Sequence, residues 1–517
     1  MALPASVIIN SIAVVGQINP RIYGHFIEHL ESCLYGGIWA ADGRQIRQDT
    51  LALIRPLRPP VVRYPGGNFA SGYHWEDGIG PRESRPTRFD EAWKVNEPNW
   101  VGTDEFMAFC AAVGAAPYLC ANDASGTPEE AARWVAYCND PPTTEQGRRR
   151  AAHGHPQPYG VRLWGIGNEV WGPWQIGHTD AASYTCRYRQ FAQAMRAADP
   201  GIELVAVGMF VPEGSAGDEA PSRLTPRNGG RDGASEEAEA WNATVLAEAA
   251  DLMNYLSFHV YQPGMEGWEE SPDPEAVHRS ICAAPLDIEA GIQRLRGLIA
   301  EYARGWPIKL ALDEWNVWPA PPPEATSMHG VVYTLRDALY VASVLNVFHR
   351  LCRHVPLANL AQLVNLLAPI RTNATQAIPT AIYFPFLLYG QMEPLALWPA
   401  VECPTFDAPA LGNIPAIGYV PYLDVTATLS RDNQRLVIGA VNRHPTDDIE
   451  ASVEIRTFVP AGRAQVWELN GPSTMAANDF AAQPVGVTER EPVPVAPTFT
   501  YRFPAHSVTV LGLGTGE

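Results

Sequence analysis

The sequence predicts an α/β protein in which a (β/α)8 TIM barrel is joined to a C-terminal antiparallel β-sandwich of the jelly-roll type. Up to about residue 385, eight short apolar runs alternate with helical patterns, and eight is the number of parallel strands that closes a TIM barrel. Beyond that point, β-type segments recur at intervals of about ten residues, which is typical of a sandwich. The length of 517 residues suits a barrel of roughly 250–400 residues with a smaller second domain.

The barrel strands are predicted from apolar runs that each end in polar or turn residues. These runs cover residues 21–28, 61–67, 115–121, 161–169, 202–208, 255–261, 308–314 and 358–364. Helices are predicted from apolar residues at helical spacing, over residues 103–113, 128–137, 181–198, 236–250, 287–302 and 334–352. An open doubly wound sheet is the structural alternative, but Gly165-Ile-Gly167 does not continue into the G-x-G-x-x-G phosphate signature.

The sandwich is predicted from alternating segments in the last quarter of the chain. They cover residues 423–429, 436–441, 449–455, 464–468 and 507–512. Residues 7–15 read as a further strand that pairs with them, because the two ends of the chain bracket the barrel. We therefore expect a barrel over residues 16–385 and a sandwich made of residues 1–15 and 386–517. Two stretches rich in glycine, proline and charge, 139–158 and 212–240, are expected to be surface loops.

Composition excludes several classes of partner. A formal charge of −19 disfavours nucleic acid and anionic membranes, which would repel the protein. No apolar run approaches the roughly 18 residues of a spanning helix, and the first residues lack the pattern of a signal peptide. The eight cysteines show no metal-type spacing and several lie in apolar runs, so free buried thiols are expected. These features predict a cytoplasmic protein.

Polar residues stand at the ends of seven of the eight predicted strands. They are Glu28, Arg63 with Asn68, Asn122, Asn168 with Glu169, His259 with Tyr261, Glu314 and Gln362. Functional residues of TIM barrels lie at the carboxyl ends of the strands. One such residue would be unremarkable, since every strand must end, but the whole set with carboxylates on the fourth and seventh strands indicates a catalytic site.

The paired carboxylates predict glycoside hydrolysis. Glu169 is surrounded in sequence by Trp164, Trp171 and Trp174, and a carboxyl group beside indole rings is expected to have a raised pKa, as a general acid requires. Glu314, which also precedes tryptophan, would attack or assist at the anomeric carbon.

The other strand ends supply hydrogen-bonding groups for a sugar. The amides and guanidinium suited to bind sugar hydroxyls are those of Asn168, Arg63, Asn68 and Gln362, and Tyr261 can orient the nucleophile. Asp313 is expected to point away from the site, because neighbouring side chains alternate across a strand.

A zinc site is the rival interpretation of the first strand. His25-Phe-Ile-Glu-His29 matches the H-x-x-E-H pattern of some zinc proteases. That pattern requires a helix to place both histidines on one face, whereas residues 21–28 read as a strand. We therefore expect ordinary histidines at the end of the barrel and no metal.

Four motifs in order resemble glycoside hydrolase family 51, whose best-known members are α-L-arabinofuranosidases. The motifs are Gly24-His-Phe-Ile-Glu-His29, Arg63-Tyr-Pro-Gly-Gly-Asn68 with Gly72-Tyr-His-Trp-Glu-Asp-Gly78, Trp164-Gly-Ile-Gly-Asn-Glu169 and Asp313-Glu-Trp-Asn-Val-Trp318. The resemblance runs from about residue 18 to residue 362, with a family-like sandwich after it.

This resemblance implies a retaining mechanism in which Glu169 is the acid/base and Glu314 the nucleophile. It implies that the furanose subsite is lined by Glu28, Arg63, Asn68, Asn168, His259, Tyr261 and Gln362. Trp93 and Trp318 fall where the family places aromatic residues. No metal or organic cofactor is implied, members often form hexamers, and the substrates would be arabinofuranosyl-containing oligosaccharides cleaved from their non-reducing ends.

Two segments depart from the pattern of the arabinofuranosidases. They are Val170-Trp-Gly-Pro-Trp-Gln175 and Lys94-Val-Asn-Glu-Pro-Asn-Trp100, which should border the leaving group and the rim of the glycone pocket. The sugar specificity therefore stays open to β-xylosidase, galactofuranosidase or endo-β-glucanase activity on the same scaffold. A carbohydrate-binding protein without catalysis is a more distant alternative.

Overall fold

Eight parallel strands close into a barrel in the computed structural model of the protein, which describes residues 2–212, 231–264 and 273–516. The strands follow one another around the barrel in chain order, and the eighth pairs with the first. From first to eighth they are Gly24–Phe26, Val61–Tyr64, Ala116–Ala121, Leu163–Ile166, Glu203–Val207, Tyr255–Tyr261, Lys309–Asn316 and Leu357–Ala361. Their side chains are mostly buried, as expected where helices cover a parallel sheet.

The α-helices of the described chain are Gln48–Leu57, Thr103–Val113, Pro128–Asn139, Glu145–Ala152, Ala181–Ala198, Arg231–Ala249, Pro274–Tyr302, Leu335–Arg350 and Tyr383–Tyr389. Their ends carry recognisable signals. The Thr127 side chain accepts a hydrogen bond from the Glu130 amide at the start of one helix, and proline occupies its first position. Gly114 ends another helix in the left-handed conformation, with φ of 77°.

Two sheets form the sandwich. In spatial order the larger consists of Val14–Gln17, Leu395–Leu397, Leu423–Leu429, Arg435–Asn442, Ser507–Thr515, Pro460–Asn470 and Gly486–Pro494. The smaller consists of Ala400–Glu402, Leu3–Asn10, Ile449–Arg456 and Thr498–Phe503. Apolar side chains of both sheets share one core, and the pairing is antiparallel except where Leu3–Asn10 runs parallel to Ile449–Arg456.

Short elements decorate this framework. Three hairpins pair Arg88–Asp90 with Val95–Glu97, Ile370–Thr372 with Ala377–Pro379, and Thr405–Ala408 with Ile417–Pro421. The 3-10 helices of the described chain are Pro20–Tyr23, Asn68–Gly72, Trp75–Gly78, Arg82–Ser84 and Ala250–Leu252.

The predicted fold class is confirmed, while several element bounds differ. The first strand is shorter than residues 21–28, because proline opens a 3-10 turn that occupies Pro20–Tyr23. The helix predicted at 287–302 begins at Pro274. The exact division of the chain at residues 15 and 385 stays a prediction.

The two predicted surface loops also need correction. Residues 139–158 contain the helix Glu145–Ala152, whose start is capped by Thr144. Of the second loop, residues 213–230 lie outside the described chain, and from Arg231 onwards the chain is helical.

Barrel and sandwich are joined by a buried cluster of charged groups. Arg350, at the end of a barrel helix, lies 2.8 Å from Glu289 and 2.9 Å from Asp424 of the sandwich. Arg443 binds the other oxygen of Asp424 at 2.8 Å. Although burial raises the pKa of Asp424, the two guanidinium groups outweigh it and hold that pKa below its ordinary value.

All eight cysteines lie in the described chain and are free thiols, and six of them are buried, as predicted. Among the described helices, none is long and apolar enough to cross a membrane.

Candidate active site

The fourth barrel strand ends in a sharp turn that places Asn168 and Glu169 at the carboxyl end of the barrel. Gly167 and Glu169 both adopt left-handed backbone conformations, with φ of 85° and 45°. A Cβ atom at Gly167 would lie 2.7 Å from Asp123 Oδ1, so this turn requires glycine. A non-glycine residue held at positive φ is a feature of functional sites, and here it directs Glu169 towards the neighbouring strands.

Glu169 forms a close pair with His259 of the sixth strand. Its Oε1 lies 2.7 Å from His259 Nδ1, and Trp174 Nε1 donates to its Oε2 at 3.4 Å. Burial raises the pKa of Glu169, but the hydrogen bond and charge of His259 outweigh it and lower that pKa below its ordinary value. The predicted rise in pKa is therefore wrong, because an imidazolium rather than an indole ring is the dominant neighbour.

Glu314, on the seventh strand, is held at both oxygens. Arg63 Nη1 donates to its Oε1 at 2.5 Å, and Tyr261 Oη donates to its Oε2 at 2.9 Å. The other guanidinium nitrogen, Arg63 Nη2, donates to Asn168 Oδ1 at 2.6 Å. Carboxylate oxygens of Glu314 and Glu169 lie within 4.8 Å of each other. Two carboxylates from the fourth and seventh strands thus face one small space, and that of Glu314 has a fixed orientation.

Asp313 also faces the barrel interior, contrary to the sequence prediction. The pairing of the seventh strand with both neighbours shifts register around this residue, and such an irregularity breaks the alternation of side chains. Asp313 Oδ2 accepts from Tyr118 Oη at 2.6 Å, and Oδ1 lies 3.2 Å from His259 Nε2. Nothing in the residue pattern signals this bulge, so sequence reasoning missed the residue.

His259 therefore lies between carboxylates on both sides of its ring. Burial lowers the pKa of His259, but Glu314, Asp313 and Glu169 outweigh it and raise that pKa to about 10. At neutral pH the ring is an imidazolium, and both ring nitrogens carry protons.

Glu28, which follows the first strand, borders Gly67 together with Glu314 Oε1. Three donors surround it at 3.0–3.1 Å: the Phe69 amide, Trp93 Nε1 and Gln362 Nε2. Burial, followed by the charge of Glu314, raises the pKa of Glu28 to about 8. The Phe69 amide was not predicted, although the preceding Gly66-Gly67 marks a place of close approach.

Aromatic rings form a continuous wall beside these groups. In order along the wall they are Trp93, His329, Trp318 and Tyr261, with ring centroids 5.2–5.5 Å apart. Trp318 Nε1 donates to the Met328 carbonyl at 3.1 Å, which fixes its ring. His329 was not predicted, because no pattern links its loop to the site.

The remaining predicted residues divide into two groups. Asn68 lies beside the site, where its Oδ1 is 3.5 Å from Asn168 Nδ2. Asn122 instead stabilises its own loop, since its side chain bonds the Tyr73 carbonyl, Ser125 Oγ and two following amides. The structure thus brings together all the residues predicted to contact the sugar and excludes Asn122.

Two sets of side chains carry atoms of the kind that bind metal ions. Glu169, His259 and Glu314 each place a ligand-type atom within 4.8 Å of the others. Both ring nitrogens of His259 already face carboxylates, Nδ1 facing Glu169 and Nε2 facing Asp313, so these groups form a charge network with one another. The zinc interpretation is wrong, because His25 packs on Phe386 while His29 lies between Tyr64 and Glu97.

Comparison with known proteins agrees with this site. Family models described as "Alpha-L-arabinofuranosidase 1 domain" and "Alpha-L-arabinofuranosidase C-terminal domain" match residues 53–223 and 313–507. A probable α-L-arabinofuranosidase C of Aspergillus clavatus is 34% identical, over 98% of this chain and 96% of the relative. The chain belongs to glycoside hydrolase family 51. The glycoside hydrolase class predicted from the paired carboxylates is thereby confirmed.

Two further relatives add detail to the family 51 assignment. The intracellular exo-α-(1→5)-L-arabinofuranosidase 1 of Bacillus subtilis is 34% identical, over 88% of this chain and 87% of its own length. The solved structure of the thermostable family 51 α-L-arabinofuranosidase of Thermotoga petrophila superposes with a TM-score of 0.85 at 34% identity. It covers 98% of this chain and 99% of that chain, which confirms the fold class over both parts of the molecule.

The two segments that depart from the usual family 51 pattern border the site. Trp171 packs edge-on against Trp174 with ring centroids 5.4 Å apart, and Trp174 in turn contacts Glu169. The other segment begins at Lys94, directly after Trp93 in the turn of its hairpin. Both segments therefore lie next to residues of the candidate site, Glu169 and Trp93.

Proposed function

We propose that the protein is a retaining, exo-acting α-L-arabinofuranosidase. It would remove terminal non-reducing arabinofuranosyl residues from arabinose-containing oligosaccharides by double displacement. The observation that carries the proposal is the approach of Glu169 and Glu314 carboxylate oxygens within 4.8 Å. Retaining glycosidases keep their carboxyl groups roughly 5–5.5 Å apart, whereas inverting enzymes need about 6.5–9.5 Å to admit a water.

Glu314 is the nucleophile in this proposal. Arg63 and Tyr261 bind its two oxygens, so the carboxylate is oriented before the sugar arrives. Attack on the anomeric carbon forms a glycosyl ester and breaks the glycosidic bond. Glu169 gives a proton to the departing oxygen, and then takes a proton from the water that hydrolyses the ester.

The furanose hydroxyls are assigned to the groups around Glu28. Glu28, Gln362, Asn68 and Asn168 offer donors and acceptors on one side of the carboxylate pair. The aromatic wall from Trp93 to Tyr261 borders the same region, because Trp93 bonds Glu28 and Tyr261 bonds Glu314, and an aromatic border of this kind fits the binding of a terminal sugar. Trp174, which is 49% exposed, lies on the Glu169 side, where the leaving group departs.

The relatives support the choice of glycone. They are named as α-L-arabinofuranosidases, and the name of the Bacillus subtilis protein includes both exo action and an intracellular location. We extend both properties to this protein, together with the hexameric assembly implied by the family resemblance. Sedimentation of the purified protein would test the hexamer.

The test is hydrolysis of 4-nitrophenyl α-L-arabinofuranoside beside the β-xyloside, β-galactofuranoside and β-glucoside. Fast release of 4-nitrophenol from the arabinofuranoside alone supports the proposal. Preference for another glycoside would show that the enzyme is specific for that sugar instead. No release from any of them would favour a carbohydrate-binding protein. Proton NMR of the first product formed distinguishes retention from inversion, since the two mechanisms release opposite anomers.

Azide rescue assigns the two carboxylates separately. In Glu169→Ala, azide should attack the glycosyl ester and yield an arabinosyl azide of retained configuration. In Glu314→Ala, azide should enter the space of the missing carboxylate and yield the inverted azide. The opposite pair of products would exchange the two roles.

A further inference from the structure

His259 connects the acid/base carboxylate to a third carboxylate that the proposed mechanism does not use. Its Nδ1 lies 2.7 Å from Glu169 Oε1, and its Nε2 lies 3.2 Å from Asp313 Oδ1. Nδ1 is also 3.6 Å from Glu314 Oε2. The ring therefore has one side towards the two proposed catalytic groups and the other towards Asp313 alone.

Asp313 is built into the barrel as an ionised group. It is 1% exposed, Tyr118 Oη donates to it at 2.6 Å, and Arg63 Nε lies 3.7 Å away. Burial raises the pKa of Asp313, but Arg63 and His259 outweigh it and hold that pKa below its ordinary value. A buried anion fixed by three groups on three strands defines which way the imidazole must face.

We propose that Asp313 is a positioning residue that acts through His259 on the proton of Glu169. This inference rests on the proposed function, in which Glu169 protonates the leaving group. The charge of Asp313, 3.2 Å from Nε2, attracts that side of the imidazolium, so Nδ1 stays turned towards Glu169. When the leaving oxygen needs a proton, the Nδ1–H bond breaks, Glu169 becomes a carboxylic acid, and that acid protonates the oxygen. The water used in the second step returns the proton to the pair.

The balance of charges around His259 gives the pH dependence. The groups that face it or its carboxylate partners are Glu169 on the fourth strand, Asp313 and Glu314 on the seventh, Tyr261 on its own strand, Arg63 on the second and Tyr118 on the third. The negative charges of Asp313 and Glu314 stabilise the protonated form of the His259–Glu169 pair, whereas the positive charge of Arg63 destabilises it. Removing the charge of Asp313 therefore makes the pair lose its proton at lower pH.

The test compares two arabinofuranosides that differ only in leaving group, 4-nitrophenyl and methyl, with wild type, Asp313→Asn and Glu169→Gln. A phenolate departs with little protonation, whereas an alkoxide requires it. We expect Asp313→Asn to lose about tenfold more kcat/KM on the methyl glycoside than on the 4-nitrophenyl glycoside. The alkaline limb of its pH profile on the methyl glycoside should move down by about one pH unit. Equal losses with an unmoved limb would overturn the inference.

A second variant keeps the test decisive if Asp313→Asn does not fold. Tyr118→Phe removes the 2.6 Å donor of Asp313 and should give a smaller loss with the same leaving-group selectivity. Tyr389→Phe removes a buried tyrosine hydroxyl distant from the site and should affect both substrates equally. If Tyr118→Phe behaves like Tyr389→Phe, Asp313 has only a structural role.

The design separates this inference from the proposed function. If the wild type prefers another glycone, the same pair of leaving groups on that sugar tests Asp313 unchanged. If Glu169→Gln shows no leaving-group selectivity, the acid assignment fails, and the inference fails with it. If Glu169→Gln is selective while Asp313→Asn and Tyr118→Phe are not, only the inference fails.

Discussion

The carboxyl group of Glu28 is surrounded by three hydrogen-bond donors and is buried in the barrel. Its environment is nevertheless unfavourable to charge, because Glu314 lies nearby and Glu28 is only 3% exposed. A raised pKa in the folded protein means that folding stability falls as the pH rises from the ordinary pKa of 4.5 to about 8.

Replacing Glu28 with glutamine should therefore remove part of the pH dependence of stability. One pKa unit corresponds to about 1.4 kcal/mol, so the effect should reach a few kcal/mol. We expect Glu28→Gln and wild type to have similar melting temperatures below pH 4.5. Above a pH of about 8 the variant should have the higher melting temperature. Parallel melting curves across the window would contradict the raised pKa.

At Gly67, the carboxylates of Glu28 and Glu314 both lie close to the backbone. A Cβ atom at this position would lie 3.2 Å from both Glu28 Oε2 and Glu314 Oε1. Both oxygens are held by partners, Gln362 and Arg63, so they cannot retreat freely. We expect Gly67→Ala to reduce kcat/KM by about tenfold or more, since small displacements of catalytic groups are costly.

Gly297→Ala provides the matched control for this substitution. Gly297 lies exposed in the helix Pro274–Tyr302 and has no atom within 4 Å of the added methyl group. It should leave activity unchanged and stabilise the protein by about 0.4–1 kcal/mol. If both variants retain full activity, the carboxylates tolerate the crowding.

Sequence patterns identified the residue types of the site but not their local surroundings. Glu169 and Glu314 stand at strand ends and were predictable as a pair. The environment of Glu169 was not, because its dominant neighbour, His259, is ninety residues away along the chain. Asp313 was assigned to the wrong face because a period-two pattern cannot reveal a bulge.

The hairpin Arg88–Asp90/Val95–Glu97 carries Trp93 to the site from outside the barrel. Its attachment depends on Glu97, which binds His29 at 3.1 Å, Tyr35 Oη at 2.6 Å and the Asn99 amide at 2.7 Å. At the tip, Asp90 accepts a hydrogen bond from the Trp93 amide at 2.8 Å. The position of Trp93 therefore depends on one buried carboxylate at the base of the element.

Glu97→Ala should release this hairpin and weaken substrate binding. We expect KM to rise by about tenfold, equivalent to about 1.4 kcal/mol, with a smaller change in kcat, because our proposal assigns Trp93 to the glycone subsite rather than to the reacting pair. Glu91→Ala in the same hairpin removes only an exposed pair with Lys94 and should behave as wild type. Equal KM values for the two variants would show that the hairpin does not depend on Glu97.

At the level of elements, the sequence predicted long regular segments well. The helices Thr103–Val113 and Ala181–Ala198 and the strand Tyr255–Tyr261 have the predicted bounds. Short elements such as this hairpin were missed, because three-residue strands carry too little periodicity to be recognised. The Trp93 position was available only from the family resemblance.

The whole molecule depends on the charged cluster between barrel and sandwich. Asp424 neutralises two buried guanidinium groups, those of Arg350 and Arg443. Removing one partner of a buried ion pair leaves uncompensated charge, which costs about 3–5 kcal/mol. We expect Asp424→Asn to unfold at markedly lower urea concentration than wild type.

Glu454→Ala supplies the comparison for this prediction. It breaks the exposed pair with Arg456 on the sandwich surface, and exposed pairs contribute little. Its urea midpoint should match that of wild type. If Asp424→Asn also matched wild type, the cluster would not contribute to the stability of the assembled domains.

The change in sequence pattern after about residue 385 predicts the two domains. It does not predict the contacts between them. Arg350, Asp424 and Glu289 are far apart in sequence and each looks like an ordinary surface charge. Burial of charge arises only when the domains meet, and no local pattern encodes it.

The parallel pairing of Leu3–Asn10 with Ile449–Arg456 has a consequence for synthesis of the chain. Leu3–Asn10 is synthesised long before either of its neighbours in the sheet, Ala400–Glu402 and Ile449–Arg456. During that interval the barrel can close, while the strand Leu3–Asn10 keeps an unpaired edge that could join another nascent chain. Delayed closure of the sandwich therefore leaves Leu3–Asn10 open to pairing with another chain until residues 400–456 have been synthesised.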